Sequence, residues 1–324
     1  MKLAPINNIK YFGARDTVLA PVSGSVSQPR HTATPSTPPN RAHYNTVSFG
    51  ISGRKRHTEH INCMDKTACS GVTAMFREDL HWINFVKFLG DHIGDDKEFQ
   101  IINSGCSTGE EPYSLAMAFL KVFGDDAEKF FPIIARDNDE IVIKIAAEKG
   151  LVNMDESDLT RIGQYKINKD DYFKLSTERL EIPDDEEDSE TETYEALPKL
   201  KKCIKFGVSD VFDDLNGLKD NSKTVLLFRN SLPYLSSEQV GEFLDKVDEK
   251  LGVGSVLELG EFGMFKSRGQ VWKNLHKMGF ESVHQFERGT ICWPEHVFVR
   301  KSIPNARERE SIEVPLMPPS YPTN

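Results

Sequence analysis

The chain has 324 residues, with 50 acidic and 40 basic side chains and a formal net charge of −10. That length holds one large domain or two small ones with a substantial core, and the acidic balance disfavours nucleic acid or an anionic membrane as the main partner. Five cysteines, without any Cys-x-x-Cys pair and with Cys63 and Cys69 too far apart for a zinc knuckle, predict reduced thiols, a cytoplasmic location and no metal site, and no apolar run approaches a membrane span.

Residues 1–56 form a distinct leader. Its stretch 21–40 is rich in Pro, Ser and Thr, and its flanks carry Arg15, Arg30, Arg41, Arg54 and Arg56 with few acids. Such a segment cannot bury enough apolar surface to order itself, so a disordered leader is expected. A transit peptide would share the composition, but no amphipathic arginine helix is evident.

The first strong element is an apolar run at 99–102, read as a buried strand. It is followed by Asn-Ser-Gly-Cys-Ser-Thr-Gly-Glu-Glu-Pro-Tyr-Ser at 103–114 and a helical repeat of Leu115, Ala118, Phe119 and Val122. Strand, small-residue turn and helix make the opening unit of a nucleotide-type α/β fold. Gly105 and Gly109 permit close backbone approach to a ligand at the helix N-terminus, and Pro112 suits the first helical turn. The spacing is neither Gly-x-Gly-x-x-Gly nor a P-loop. Glu110 and Glu111 would repel a pyrophosphate and welcome an ammonium group or ribose hydroxyls, so the turn suits a nucleoside without phosphates. A turn serving chain reversal alone has the same composition.

Further along, strands are predicted at 131–135, 203–208, 224–228 and 254–259, and helices at 139–149, 237–250 and 271–278. A closing antiparallel hairpin is predicted from 282–288 and 296–300. This alternation predicts a mainly parallel sheet covered on both faces. The acid Asp137, at the end of the second strand, is placed for ribose hydroxyls, while Asp139 suits the N-cap of the next helix. The acidic run 184–195 reads as a solvated insertion, and residues 304–324 as a disordered tail.

The run Cys-Ser-Thr-Gly-Glu-Glu-Pro-Tyr-Ser at 106–114 resembles the cofactor loop of the CheR family, S-adenosylmethionine-dependent methyltransferases that esterify glutamates of bacterial chemoreceptors. Four more segments resemble that family in order, from about 65 to 303. Upstream, Gly-Val-Thr-Ala-Met-Phe-Arg-Glu at 71–78 is similar to its Asn-x-Thr-x-Phe-Phe-Arg-Glu, with Gly71 in place of asparagine. Next come 134–139 with Asp137, and 206–212 with Asp210 in place of asparagine. Last is Leu-Phe-Arg-Asn-Ser-Leu-Pro-Tyr-Leu at 227–235.

The resemblance implies an α/β class I methyltransferase (Rossmann-like) fold with an antiparallel terminal hairpin. It also implies a small β-subdomain within 160–200, carrying the acidic insertion, in a catalytic domain at 57–303. It implies S-adenosylmethionine held by Thr73, Arg77, Glu111, Asp137, Asp210, the backbone of Val211, Arg229 and Asn230, with Arg77 and Tyr234 nearest the transferred methyl. An arginine fork suits the methionine carboxylate. Arg77 could equally be a surface arginine on an amphipathic helix, and Asp210 a loop aspartate without a ligand.

The implied partner is a protein carrying acceptor glutamates, met by a monomer. The implied reaction is glutamate O-methylation, which needs no general base because a carboxylate of pKa about 4.3 is already ionised. The alternatives are a CheR-like module that binds cofactor or a signalling partner without turnover, and a nicotinamide oxidoreductase, which the loop acids disfavour.

Overall fold

A short antiparallel pair, β1 (His60–Ile61) and β2 (Ala68–Cys69), comes first among the described residues. The computed structural model describes residues 60–61, 68–69, 73–77, 80–178, 191–260, 268–283 and 296–315, all within the unit Gly50–Asn324. The leader 1–56 lies outside the described residues, as do Gly71 and most of the acidic run.

Helix α1 (Trp82–Ile93) buries Trp82, Phe85, Val86, Leu89 and Ile93, the i, i+3, i+4, i+7 stripe of an amphipathic helix. It lies so close to α2 (Glu110–Phe123) that a Cβ on Gly90 would sit 2.2 Å from the Phe123 ring. Between them runs β3 (Gln100–Ser104), which lies central in a seven-stranded sheet.

Going outward from β3, one side holds β4 (Ile133–Asp137) and then β8 (Ile204–Val208). The other holds β9 (Thr224–Leu227), β10 (Val256–Glu258), β12 (Val297–Arg300) and β11 (Phe280–Ser282). All pairings from β8 through β10 are parallel, and β12 runs antiparallel to both its neighbours. The sheet is thus the predicted mainly parallel one with an antiparallel ending. The strand order reverses between β3 and β9, and crevices at such reversals are where ligands bind in open α/β sheets.

Successive strand residues serve opposite faces, as the period of two demands. Ile101, Val225, Leu227, Val256, Val297 and Val299 join a core with α1 and α2. Ile102, Leu226, Leu257 and Phe298 join a second core with α6 (Val211–Asn216), α7 (Ser237–Lys250) and α8 (Arg268–Lys277). Burial on both faces explains why the strands read as continuous apolar runs.

Three expectations are corrected. The helix predicted at 139–149 is α3 (Glu140–Lys144) followed by a π-helical turn (Ile145–Lys149), closed by Gly150 with φ 64°. The small β-subdomain begins earlier than residue 160. Its three-stranded sheet, ordered β5–β7–β6, comprises β5 (Leu151–Met154), β6 (Phe173–Leu175) and β7 (Glu192–Ala196), with α4 (Glu156–Gln164) after β5. Strand β7 takes the end of the acidic run because Thr193, Tyr194 and Ala196 are buried there, and that apolar signal was masked by the flanking acids.

The expected tail carries a helix among its described residues, 304–315. A short helix, α5 (Pro198–Lys201), leads back from the small sheet to β8, and α9 (Ala306–Ser311) closes the described chain. Arg309 pairs with Asp248 at 2.7 Å, and Trp272 Nε1 donates to Pro315 O at 3.1 Å.

Candidate functional site

The loop between β3 and α2 lies at the carboxyl end of the central strand, and its backbone conformations explain its composition. Gly105 and Gly109 take φ values of 75° and 100°, a region costly for any residue with a Cβ. A Cβ on Gly109 would press at 3.1–3.2 Å on the rings of Phe206 and Tyr113. Gly105 is exposed although Asn103, Ser104 and Cys106 around it are buried, so the centre of the turn offers bare backbone to the crevice. Burial, followed by the charges of Asp137, Glu111 and Glu110, pushes the Cys106 thiol well up. It stays protonated and is no nucleophile.

At the end of β4, Asp137 faces this loop. Its Oδ2 accepts from Ser107 N at 2.8 Å and its Oδ1 from Asp139 N at 3.0 Å. Burial raises its pKa, and these backbone donors oppose the rise. The Asn138 N–H adds a third backbone donor, and a carboxylate with about four lone-pair sites is not filled by the three. Asp139 caps α3, accepting from Ile141 N at 2.8 Å. Asp139 is thus the predicted N-cap, and Asp137 is left outside it.

On the other side of β3 the acids are engaged with a cation. Glu111 Oε2 lies 2.8 Å from Arg229 Nη1, and its Oε1 accepts from Asn103 Nδ2 at 2.6 Å. Arg229 Nε is 2.7 Å from Glu258 Oε2, an ion pair rather than an aligned hydrogen bond. The guanidinium also lies over the Trp82 ring, 4.9 Å from its centroid. Glu258 Oε1 meets His296 Nδ1 at 2.6 Å and accepts from Gly260 N at 3.0 Å. This network of Glu111, Arg229, Glu258 and His296 spans the ends of α2, β9 and β10.

The segment 73–77 is tied to the same place. Phe76 has φ 48°, and its N–H donates to Ser114 Oγ at 2.8 Å, which in turn donates to Glu110 O at 2.7 Å. A bulky residue in the left-handed region costs roughly 1–3 kcal/mol and persists only where its surroundings enforce it. Trp82 Nε1 donates to Arg77 O at 3.0 Å. Trp82 thus links the Arg77 segment to Arg229 and Glu111.

Thr73 and Arg77 are half-buried in this segment. Asn230, with φ 56°, follows β9 so close to Gly260 that a Cβ there would lie 2.3 Å from Asn230 Oδ1. Tyr234 ends the 3-10 turn Leu232–Tyr234 and is 39% exposed, a placement open to a large substrate.

Asp210 and Val211 follow β8 at the start of α6. Asp210 is the N-cap of α6, its Oδ1 accepting from Phe212 N and Asp213 N, both at 2.8 Å. Oδ2 is the oxygen outside the cap, the one left for the acceptance from an adenine amino group that the resemblance implies. Val211 opens α6 with its side chain in the second core, so only its backbone is available.

Residues that the sequence reading passed over include Ser114, Trp82, Glu258, His296, Asp158 and Arg161. A lone acid within the apolar run of β10 was the available signal for Glu258.

The family model described as "CheR methyltransferase, SAM binding domain" matches residues 71–278. The chain is 26% identical over 191 residues to a chemotaxis protein methyltransferase of Listeria monocytogenes, covering 58% of this chain and 63% of that one. It is 24% identical over 233 residues to a chemotaxis protein methyltransferase of Borreliella burgdorferi, covering 65% and 74%. It is 22% identical over 223 residues to chemotaxis protein methyltransferase 2 of Vibrio cholerae, covering 68% and 69%. The chain therefore spans less than two thirds of the length of the Listeria relative. The family match takes in well over half of this chain, from the segment before Thr73 to the end of α8. The chain belongs to the CheR methyltransferase family, and S-adenosylmethionine is the cofactor of the domain it carries.

Proposed function

We propose that this protein is an S-adenosylmethionine-dependent methyltransferase that esterifies glutamate carboxylates on a protein substrate of the chemoreceptor type. One observation carries the reading. A half-buried carboxylate with open lone pairs, Asp137, stands beside the exposed glycine backbone of the β3–α2 turn in a chain of this family. Such a set fits a ligand with ribose hydroxyls and no phosphates, since an acid there repels anions and accepts from hydroxyls.

Asp137 would hold the ribose, with Gly105 as the floor beneath it. Thr73 and Arg77 would hold the methionine end, and the Val211 backbone and Asn230 would line the pocket. Glu111 is the acid nearest the methionine ammonium in this assignment, and Arg229 holds Glu111 in place. Asp210 contributes through the helix it caps.

When bound, the cofactor supplies an electrophilic methyl group on a sulfonium. The chain itself need not move a proton, because the acceptor glutamate is ionised at neutral pH. Its residues bind, align the acceptor and keep water out. Tyr234 is assigned to orienting the acceptor, and Arg77 to fixing the reacting end of the cofactor. The names of the relatives, chemotaxis protein methyltransferases, support a chemoreceptor-type acceptor.

The test is transfer of labelled methyl from S-adenosylmethionine to protein in a lysate, followed by mild alkali. Carboxyl methyl esters hydrolyse and release labelled methanol, whereas N-methyl groups survive. Counts that persist after alkali would refute glutamate as the acceptor and leave the cofactor assignment standing. Saturable binding of S-adenosylhomocysteine without any transfer would support a module that binds without turnover.

A further inference from the structure

Helix α4 belongs to the small sheet's part of the chain, yet two of its side chains grip the segment before α1. Asp158 Oδ1 accepts from Met75 N at 2.9 Å, and Arg161 Nε donates to Met75 O at 2.8 Å. Arg161 Nη2 also bonds Asp158 Oδ1, so the pair is joined within its own helix. Asp158 Oδ2 accepts from Asp155 N, while Asp155 Oδ1 accepts from Asp158 N, closing a capping box. The carboxylate that holds Met75 is therefore fixed by the helix terminus itself.

Burial separates this arrangement from an ordinary surface pair at i, i+3. Asp158 is 5% exposed, Arg161 3% and Met75 0%. Both backbone polar groups of Met75 are satisfied by this one ion pair, as a neighbouring strand would satisfy them. The next residue, Phe76, sits at φ 48° with its N–H on Ser114 Oγ. A residue of that size does not hold the left-handed region unaided. The direction in which Arg77 leaves the turn is set by the anchors on either side.

We propose that Asp158 and Arg161 are positioning residues, through which the small sheet's helix fixes the conformation of residues 73–77 and so sets the affinity for S-adenosylmethionine. The inference rests on the reading that Thr73 and Arg77 hold the methionine end of the cofactor. Neither α4 residue touches the cofactor in this assignment. Their effect runs through the backbone of Met75.

The experiment uses the full chain and S-adenosylhomocysteine in calorimetry. Arg161→Lys keeps a positive charge beside Asp158 but lacks the Nε donor to Met75 O. Val152→Ala truncates the buried core of β5, leaves the hydrogen bonds to Met75 in place and serves as the control for lost stability. Arg161→Lys is expected to weaken binding about tenfold and to speed hydrogen exchange at the Met75 amide. Val152→Ala, at a similar thermal midpoint, is expected to bind like the wild type.

Wild-type affinity in folded Arg161→Lys would overturn the positioning role, and so would an equal loss in Val152→Ala. Should Arg161→Lys fail to fold, Asp158→Asn takes its place with the same two readouts, since it keeps an acceptor for Met75 N and removes the charge. A wild-type chain that binds no S-adenosylhomocysteine would overturn the cofactor reading, and the positioning role with it. Binding by the wild type that the variants leave unchanged would overturn the positioning role alone.

Discussion

The acids on the two flanks of β3 meet different partners. Toward β4, Asp137 accepts from the backbone N–H groups of Ser107 and Asp139 and, among the described residues, pairs with no cation. Toward β9 and β10, Glu111 and Glu258 close on the Arg229 guanidinium, with Trp82 stacked above it and His296 beyond. Under the proposed function Asp137 is a ligand acid and Glu258 a structural one, while Glu111, held by Arg229, stays beside the methionine ammonium. Backbone N–H donors leave lone pairs free, while a buried arginine fork takes up charge as well as hydrogen-bonding capacity.

The largest effect that would break this contrast lies in the arginine network. Arg229→Met should cost about 3–5 kcal/mol of folding stability, because it strands two carboxylates in a dry site. Chemical denaturation measures it. A loss below about 1 kcal/mol would mean that water reaches Glu258 and that this flank is not structural.

On the other flank the effect should fall on binding. Asp137→Ala removes hydrogen bonds to a charged group worth about 1.5–3 kcal/mol, a ten- to hundredfold loss of S-adenosylhomocysteine affinity. Unchanged affinity in a folded variant would place the ribose partner elsewhere.

The pH dependence sharpens the same point. Burial raises the pKa of Asp137 above the ordinary 3.8 in the folded state. The folded chain thus holds this proton more tightly than the unfolded one. Its contribution to stability is full below 3.8 and is lost as pH rises through the raised folded value. Binding runs the other way, since the ionised form is the better acceptor. Affinity should therefore decline on acidification with a midpoint above 3.8, and Asp137→Asn should lack that limb in calorimetry across pH.

Tyr234→Phe should have a smaller effect, lowering turnover about three- to tenfold through one lost hydrogen bond. Affinity for S-adenosylhomocysteine should stay near normal. Equal loss of both would move this hydroxyl from the acceptor to the cofactor.

The sheet was legible because parallel strands buried on both faces are apolar throughout, and α7 (Ser237–Lys250) carries its own start signal in the Ser236 and Gln239 capping box. The glycine turn was legible because its φ values leave few residue types. Strand β7 was not, since its buried Thr193 and Tyr194 sit among acids. The Arg229 network was half legible. Arg229 and Glu111 stood in recognisable runs, whereas Glu258 and His296 are far apart in sequence and meet only through the β10–β12 pairing. The Met75 grip was hidden for a related reason, because Asp158 and Arg161 at i, i+3 look like a solvated helix pair until burial is known.

The smallest expected effect separates a cap from a ligand contact at Asp210, which follows β8 and caps α6. Its Oδ1 serves two N–H groups at the start of α6. Asp210→Ala should cost about 1 kcal/mol of stability, the usual value of a lost N-cap. Asp210→Ser keeps a good capping oxygen, so stability should stay within a few tenths of a kcal/mol. Serine is too short to reach an adenine from the same backbone position, so this variant removes any contact made by the second oxygen while leaving the helix start intact. With a cap alone at this position, S-adenosylhomocysteine affinity in Asp210→Ser stays within about twofold of wild type. A tenfold loss, equivalent to about 1.4 kcal/mol, with the helix start preserved, would make the Asp210 side chain a cofactor contact beside the Val211 backbone.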